Sequence, residues 1–178
     1  MTNEYGFSEI KPFDYNDNVF KLFARDWMLM TAEKGGKCNA MTVGWGGLGV
    51  MWGKNVAFVA VRPERYTYEF LEAAETFSLT VFEQSYKKML GYFGTVSGRD
   101  EDKIAKSNLT VIYDGETPYF QEARLSMNCK KILTTVFQPE DLVDQSYAKF
   151  YGGTNDASGH GGGWHVLYIA EIMKILSK

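Results

Sequence analysis

The segment from Asn39 to Phe82 reads NAMTVGWGGLGVMWGKNVAFVAVRPERYTYEFLEAAETFSLTVF. Its β-branched and aromatic residues predict strands at 39–43, 55–61 and 76–82. Between the last two strands the hydrophobic period changes, and YTYEFLEAA predicts a helix over 66–74. Strands that follow one another this closely, with a single helix among them, favour an α+β barrel-like fold over a doubly wound parallel sheet.

A glycine-rich stretch inside this segment, GWGGLG from Gly44 to Gly49, matches the GxGxxG pattern of dinucleotide-binding proteins. In that fold the third glycine opens a crossover helix. Only six residues separate Gly49 from the next strand at about Val56, whereas a parallel crossover needs roughly a dozen. We therefore exclude a dinucleotide-binding fold and interpret 44–53 as a tight loop between antiparallel strands.

The rest of the chain continues the same mixture of elements. Further strands are predicted at 27–32, 109–113 and 164–176, and further helices at 86–93, 101–106 (capped by Ser97–Asp100) and 139–150. Residues 123–137 fit either one long bent strand or a hairpin, and only 155–163 (NDASGHGGG) has the composition of a flexible loop. These elements amount to about seven strands and three or four helices. No linker divides them, so we expect one domain over residues 1–178.

Composition excludes several classes of protein. The chain has 178 residues, 45% hydrophobic and 15% aromatic, with a net charge of −3, which is typical of one compact domain and not of a disordered or collagenous chain. The weak acidity, without blocks of Lys or Arg, argues against general nucleic-acid binding. A basic and apolar leader and a run of roughly 18 apolar residues are both missing from the sequence, so we expect a cytoplasmic protein without a membrane span.

The residues that usually bind metals are few. Cys38 and Cys129 form no CxxC pair, and we expect reduced thiols, with a regulatory disulfide as the alternative. His160 and His165 are five residues apart without an acidic cluster, which does not fit an HExxH helix. The sequence therefore predicts no metal site. It also offers no Ser-His-Asp or Cys-His arrangement, so we assign no catalytic side chain.

Three segments carry groups that suit a planar, phosphorylated ligand. Residues 39–45 supply backbone amides, an Asn amide, a Thr hydroxyl and an indole. Residues 62–67 place two guanidinium groups and a hydroxyl at the start of a predicted helix, where free N–H groups favour an anion. Residues 97–103 repeat that design with a hydroxyl, a glycine, an Arg and a Lys. Two such basic helix starts predict a phosphate site.

Each segment also has a simpler interpretation. Arg62 and Arg65 could pair with neighbouring glutamates on the surface. Ser97 could be only the cap of the following helix. Trp45 and Trp52 could be core residues. No single segment decides among these alternatives.

The order of the segments supplies a resemblance. The block 39–82, then YFGTVSGRDEDK at 92–103, then HVLYIAEI at 165–172, resembles the flavin reductase-like family, the flavoredoxin-type FMN-binding split barrels. The likeness covers about Trp27 to Ile172. It implies a mainly β, antiparallel, Greek-key-like split β-barrel with peripheral helices. It also implies a homodimer that binds FMN near the subunit interface.

The resemblance further implies which residues bind FMN. Asn39, Ala40, Met41 and Thr42 would line the isoalloxazine and ribityl chain, with Trp45 nearby; Arg62, Arg65, Tyr66 and Thr67 would line the phosphate side, with Ser97, Gly98 and Lys103 as its second segment; His165 would lie near the flavin. The loop 155–163 has no counterpart in the family pattern, so the resemblance identifies neither the access path to the flavin nor the acceptor.

These observations favour an FMN-dependent oxidoreductase. Electrons would pass from NAD(P)H or a reduced partner through bound FMN to free flavin, another protein or a small molecule, and the flavin itself would carry the redox chemistry. Two alternatives remain at this point. One is a non-enzymatic store or sensor of flavin or haem on the same barrel. The other is a barrel similar to pyridoxine phosphate oxidase.

Overall fold

The computed structural model describes residues 2–152 and 162–178, so that 155–161 of the predicted flexible loop lie outside the described residues. The strands within these ranges are β1 (Ser8–Ile10), β2 (Met28–Lys34), β3 (Lys37–Val43), β4 (Gly46–Met51), β5 (Lys54–Val61), β6 (Thr76–Val81), β7 (Val111–Asp114), β8 (Thr117–Phe120), β9 (Leu125–Val136) and β10 (Val166–Ser177). The helices are α1 (Val19–Lys21), α2 (Tyr66–Ala73), α3 (Lys87–Thr95) and α4 (Lys103–Lys106), with 3-10 turns at Pro12–Asp14, Gln84–Tyr86, Pro139–Asp141 and Gln145–Phe150 and a π-helical turn at Leu22–Asp26.

Eight of the strands share one sheet. Its order is β3-β2-β6-β9-β10-β5-β4, and β1 also pairs with β10, while β7 and β8 form a separate hairpin. Every pairing of these strands is antiparallel. The predicted mainly β, antiparallel fold with peripheral helices is confirmed.

A two-residue link closes this sheet into a barrel. β3 ends at Val43 and β4 begins at Gly46, although the two strands stand at opposite ends of the sheet order. Three Cα steps span at most about 11 Å, whereas the outer strands of a flat seven-strand sheet would lie roughly 29 Å apart. The sheet must therefore curl until its ends meet. Within the described residues no pairing joins β3 to β4, so the barrel is split between these two strands. We call the Gly44–Trp45 link between them the seam.

The glycine-rich stretch 44–53 is not the loop that we predicted, because it contains strand β4. Gly46 shows why a strand needs glycine here. A Cβ at this position would overlap the carbonyl oxygen of Phe58 and lie 2.7 Å from the ring of Phe23. The next residue, Gly47, has open space around its missing Cβ. The glycines let β4 lie flat against its neighbours, and no dinucleotide-binding helix follows them in the described chain.

Other boundaries also differ from the sequence-based prediction. Residues 123–137 form one strand, β9, bent by two register shifts against β10, and not a hairpin. The predicted helix over 139–150 is two 3-10 turns. The cap predicted at Ser97–Asp100 is wrong, because α4 begins at Lys103 and its N-cap is Asp102, whose carboxylate accepts from the Ala105 N–H at 3.0 Å. Asp102 captures the helix start because its carboxylate reaches a free backbone N–H.

Two hydrophobic clusters lie on the two faces of the sheet. Met28 and Met30 of β2 point into the barrel, and Leu29 points to a second cluster with Ala40 and Phe93 outside it. β2 is therefore buried on both faces, and its first five residues, 28–32, are all buried. None of the helices within residues 2–152 and 162–178 has the length and hydrophobicity to span a bilayer.

Candidate functional site

Two neighbouring cavities lie where the seam, the start of α2 and the end of α3 meet. The cationic cavity, about 220 Å³, is lined by Asn39, Met41, Glu64–Thr67, Phe93–Gly98 and Lys103. The aromatic cavity, about 460 Å³, is lined by Met41–Trp45, Ala60, Arg62, Arg65, Phe150 and His165. Met41 and Arg65 line both, so that the two cavities share a wall.

The cationic cavity holds two positive groups, the half-buried Arg65 and the buried Lys103. Arg65 donates to the Gly94 carbonyl at 2.7 Å, and Lys103 Nζ donates to the Phe93 carbonyl at 3.1 Å. Neither cation forms an ion pair with a carboxylate of the described residues. Burial, and then the charge of Arg65, lowers the pKa of Lys103 to about 8. Burial and the neighbouring Arg62 also lower the pKa of Arg65. An anion in this cavity would relieve both groups.

The start of α2 adds backbone donors to the same cavity. Arg65 occupies the N-cap in extended conformation without a side-chain cap of its own, and Tyr66 and Thr67 line the cavity from the first turn. The N–H groups of a first turn have no partner inside their helix, which suits an anion. α4 does not repeat this arrangement, because it has only four residues and Asp102 caps it. One of the two predicted basic helix starts is therefore present.

Asn39 and Gly98 close one side of the cationic cavity. Asn39 Nδ2 donates to the Thr67 hydroxyl at 2.7 Å, in a buried position. A Cβ on Gly98 would overlap the Asn39 amide and lie 3.0 Å from the ring of Tyr66, so that the 97–98 backbone can approach only as glycine. Beside it, Ser97 Oγ accepts from the Arg99 backbone N–H at 3.1 Å. The three segments that were predicted to serve one ligand are thus in direct contact here.

Arg99 lies outside the cavity. Its guanidinium donates to the Glu69 carboxylate at 2.7 Å and to the Glu64 carbonyl at 3.1 Å, and it stands 4.8 Å from the ring centre of Tyr66. The pairing with a surface glutamate that was the alternative for Arg62 and Arg65 is thus found at Arg99, whereas Arg65 forms no ion pair among the described residues.

Rings from distant parts of the chain form the aromatic cavity. Trp45, in the seam, stacks on His165 with ring centres 4.7 Å apart and meets the edge of Phe150 at 5.7 Å. Trp45 is 44% exposed and Trp52 57% exposed, so the alternative that both are core residues is wrong. Thr42 lines this cavity while its hydroxyl donates to the Leu90 carbonyl of α3.

Arg62 belongs to the aromatic cavity and does not line the cationic one. Its Nη2 donates to the Phe150 carbonyl at 2.8 Å and its Nη1 to the Gly163 carbonyl at 3.1 Å. Arg62 and Arg65 are three residues apart in the sequence, yet their guanidinium groups bind different parts of the molecule. The segment 62–67 therefore serves both cavities.

His165 presents a neutral imidazole to the aromatic cavity. Burial, and then the charge of Arg62, lowers its pKa to about 4. Its Nδ1 is buried and has no hydrogen-bond partner among the described residues. Buried polar atoms are nearly always satisfied, so this atom fits contact with a polar group of a ligand.

The structure brings together twelve of the thirteen predicted site residues, namely Asn39, Met41, Thr42, Trp45, Arg62, Arg65, Tyr66, Thr67, Ser97, Gly98, Lys103 and His165. Ala40 does not line either cavity. It is completely buried in the outer cluster, because successive residues of β3 point to opposite faces of the sheet.

Sequence reasoning missed three contributions to the cavities. The carbonyls of Phe93 and Gly94 hold the two cations, and a backbone group carries no signal in the sequence. Phe150 comes from a 3-10 turn without a hydrophobic period. Glu64 accepts from the Gly163 N–H. In the sequence, its position between two arginines was the only feature that could have marked it as part of the site.

The cysteines are free thiols. Cys38 Sγ lies 3.2 Å from the Tyr113 hydroxyl, which donates to Glu33 at 2.7 Å, and burial raises the pKa of Cys38 and of Cys129. The two thiols stand on β3 and β9, three strands apart in the sheet order. They also lie on opposite faces of the sheet, since Cys38 shares a face of β3 with Ala40 of the outer cluster, whereas Cys129 lies in the inner cluster. That separation exceeds the reach of a disulfide. Among the described residues no group of three or more possible metal ligands occurs.

Comparisons with known proteins agree with this geometry. Residues 20–177 match the family described as flavin reductase like domain. The solved flavoredoxin from Methanosarcina acetivorans is 24% identical, with a TM-score of 0.67 over 96% of this chain and 76% of that one. An FMN-binding protein from Thermus thermophilus with bound p-hydroxybenzaldehyde is 15% identical, with a TM-score of 0.64 over 94% and 76%. The NADH:FAD oxidoreductase of Streptomyces globisporus C-1027 is 14% identical, with a TM-score of 0.60 over 86% and 75%. The search of curated proteins finds no match.

Proposed function

The chain belongs to the flavin reductase-like family, and on that premise we propose that it binds FMN across the two cavities and acts as an FMN-dependent oxidoreductase. The observation that carries this proposal is a pair of cations in the cationic cavity, the half-buried Arg65 and the buried Lys103. Both donate to backbone carbonyls and form no ion pair among the described residues. A ligand with a terminal phosphate supplies the opposite charge that such a cavity favours.

The residues of the cationic cavity fit the phosphate end. Arg65 and Lys103 would donate to phosphate oxygens together with the first N–H groups of α2. Thr67 and Ser97 offer hydroxyls at the same place. Gly98 would let backbone approach the phosphate closely, as it already approaches Asn39.

The aromatic cavity fits the ring end. Trp45 would supply an aromatic surface, and the neutral His165 has a buried Nδ1, without a partner among the described residues, that would suit a polar ring edge. Met41 lines both cavities and would lie between ring and phosphate, beside the ribityl chain. Asn39, Thr42 and Tyr66 complete the proposed contacts, and the predicted contact with Ala40 is withdrawn.

The protein's part in the reaction is binding, orientation and exclusion of water. Bound FMN would supply hydride and single-electron transfer, chemistry that protein side chains lack. With its pKa at about 4, His165 stays neutral at physiological pH and can hydrogen-bond without adding charge beside the ring. Phe150 and Trp45 cover one side of the cavity. This division of labour requires no nucleophile or general acid from the chain.

Donor, acceptor and assembly are parts of the same proposal. NAD(P)H or a reduced partner would donate electrons, and free flavin, a protein or a small molecule would accept them. The name of the Streptomyces protein, an NADH:FAD oxidoreductase, supports a nicotinamide donor. A homodimer is supported by the outer half of β9, which exposes Ile132, Leu133 and Val136 beyond the end of β6. A cytoplasmic location stays a prediction from the sequence.

Titration with FMN tests the proposal. We expect FMN to change its fluorescence on binding and to raise the melting temperature, since saturation at 100 times Kd stabilises a fold by about 2.7 kcal/mol. A colourless protein whose addition leaves FMN fluorescence and melting temperature unchanged would contradict it. Following the nicotinamide absorbance with and without FMN then separates an oxidoreductase from a flavin store or sensor, which would bind FMN without oxidising NAD(P)H above a buffer control.

A further inference from the structure

The described residues of the connection between β9 and β10 border the aromatic cavity, which Phe150 and His165 line. We call these described parts, residues 137–152 and 162–165, the strap. Its ends meet where the Phe137 N–H donates to the His165 carbonyl at 2.9 Å. Its two legs meet again where the Gly152 N–H donates to the Gly162 carbonyl at 2.9 Å. Beside that bond, ring packing between the legs places Tyr151 flat on Trp164 at 4.0 Å. These contacts join the two described legs of the strap to each other.

Arg62 fastens both legs of the strap to the barrel. From the end of β5 its guanidinium donates to the Phe150 carbonyl of the first leg and the Gly163 carbonyl of the second, at 2.8 and 3.1 Å. Its charge also stands 5.7 Å from the ring centre of Tyr151. Arg62 is only 4% exposed. These carbonyls therefore supply the hydrogen bonds that water would give to an exposed guanidinium.

A second contact fastens the same leg. Glu64, two residues after Arg62, accepts from the Gly163 N–H. A Cβ on Gly163 would lie 2.6 Å from Glu64 Oε1, too close for this contact to persist. The turn between β5 and α2 thus holds the strap through a cation and an anion.

The strap in turn supplies a wall of the aromatic cavity. Phe150 and His165 line the cavity from the strap, and both rings pack against Trp45 of the seam. Loss of the fastening would release the Phe150 ring, which helps to shield the cavity from solvent, whereas His165 stays held by the Phe137 N–H.

We propose that Arg62 is a positioning residue that holds the strap over the aromatic cavity and thereby limits the access of small molecules to the ring of bound flavin. This inference rests on the proposed function and deepens it. It separates the two arginines of one segment, since Arg65 would bind the phosphate and Arg62 would guard the ring.

The first test measures the strap without flavin. Trypsin can cut after Lys149, an exposed residue of the first leg. We expect Arg62→Ala to speed this cleavage by roughly a hundredfold, because it removes both charge-assisted hydrogen bonds that oppose a local opening of the strap. Gly163→Ala should also speed the cleavage while it leaves the guanidinium in place. Arg62→Lys, which keeps the charge but loses the two-pronged geometry, should fall between wild type and Arg62→Ala. Arg65→Ala is the matched control and should leave the cleavage rate near that of wild type.

The second test measures access to FMN in the loaded protein. We expect dithionite to reduce bound FMN several times faster in Arg62→Ala and Gly163→Ala than in wild type, while the ratio of FMN to riboflavin affinity stays unchanged. Arg65→Ala should instead lower that ratio.

Each other outcome overturns the proposal. Unchanged cleavage in both Arg62→Ala and Gly163→Ala would show that Arg62 does not hold the strap. Faster cleavage without faster reduction would show that the strap does not limit access. A fall in the FMN to riboflavin ratio in Arg62→Ala would assign that arginine to the phosphate. Wild-type protein that binds no flavin would overturn the proposed function itself and the access role with it, whatever the cleavage rates.

Discussion

The two cavities share a wall but are assembled by opposite means. In the cationic cavity, Arg65 and Lys103 are held by carbonyls at the end of a regular helix, α3. In the aromatic cavity, Trp45 meets Phe150 and His165, which come from a long connection more than 100 residues away in sequence. The two cations are thus positioned by regular secondary structure, whereas the positions of the Phe150 and His165 rings depend on the strap. We expect substitutions to affect the two cavities separately, and the following experiments test that separation.

The largest effect should come from removing both cations of the cationic cavity. Each charge-assisted hydrogen bond contributes about 1.5–3 kcal/mol, so Arg65→Ala with Lys103→Ala should weaken FMN binding by roughly a hundredfold or more. Riboflavin, which has no phosphate, should lose little. Fluorescence titration of both ligands measures the difference. Lys106→Ala is the control, because that lysine pairs with Glu101 outside the cavity. Equal losses for the two flavins would contradict the phosphate assignment.

The next largest effect concerns the stability of strand β4, which follows Trp45. Gly46→Ala would force a methyl group against the Phe58 carbonyl and the Phe23 ring. Overpacking of this kind lowers the free energy of unfolding by about 1–3 kcal/mol. The neighbouring Gly47→Ala meets open space and should stay within about 0.5 kcal/mol of wild type. Thermal or urea unfolding measures both variants, and similar values for the pair would show that close packing at Gly46 is unimportant.

A pH effect should mark the cationic cavity alone. In the flavin-free protein the pKa of Lys103 is about 8, and a bound phosphate would raise it. The contribution of Lys103 is then fully present below pH 8 and is lost as the pH rises from 8 toward the higher pKa of the complex, by up to about tenfold in affinity per pH unit. FMN titrations between neutral and alkaline pH measure this fall. Riboflavin binding and the Lys103→Gln variant should not show it, and an identical fall in either would assign it to another group.

The smallest effect concerns the stacking surface of the aromatic cavity. Trp45→Leu removes the ring that stacks on His165, and an aromatic pair contributes about 0.5–1.5 kcal/mol beyond its buried area. We expect both FMN and riboflavin to bind severalfold more weakly and to the same extent. Trp52→Leu, in the turn after β4, is the control and should bind both flavins as wild type does. A loss confined to FMN would mean that the two cavities are not independent.

Local signals predicted most of the cationic cavity. The change of period after Pro63 correctly placed α2, and polar or basic residues beside that helix start identified Arg65 and Thr67. Lys103 was found for a partly wrong reason, since its helix is shorter than expected and is capped by Asp102. Its position follows from burial against α3, which the sequence does not express.

Features set by packing between distant segments could not be predicted in the same way. Glycines at 44–49 indicate close approach, but a loop and a flat strand need the same residues, so β4 was missed. Ala40 was carried over with its neighbours although strand alternation turns it to the other face. The role of Arg62 depends on carbonyls of Phe150 and Gly163. No residue type encodes the position of a backbone oxygen about 90 to 100 residues away.

The Gly44–Trp45 link also bears on the order in which the chain folds. The hairpins on either side of it, β2 with β3 and β4 with β5, need only local contacts and can form early. Joining them into one ring requires β10 to reach β5, a pairing of Val166 with Val61 across most of the chain. Such long-range closure is slow because its entropy must be lost before its contacts form. We therefore expect Trp45 to reach its partners late in folding, so that a flavin bound there would bind the folded protein and stabilise it.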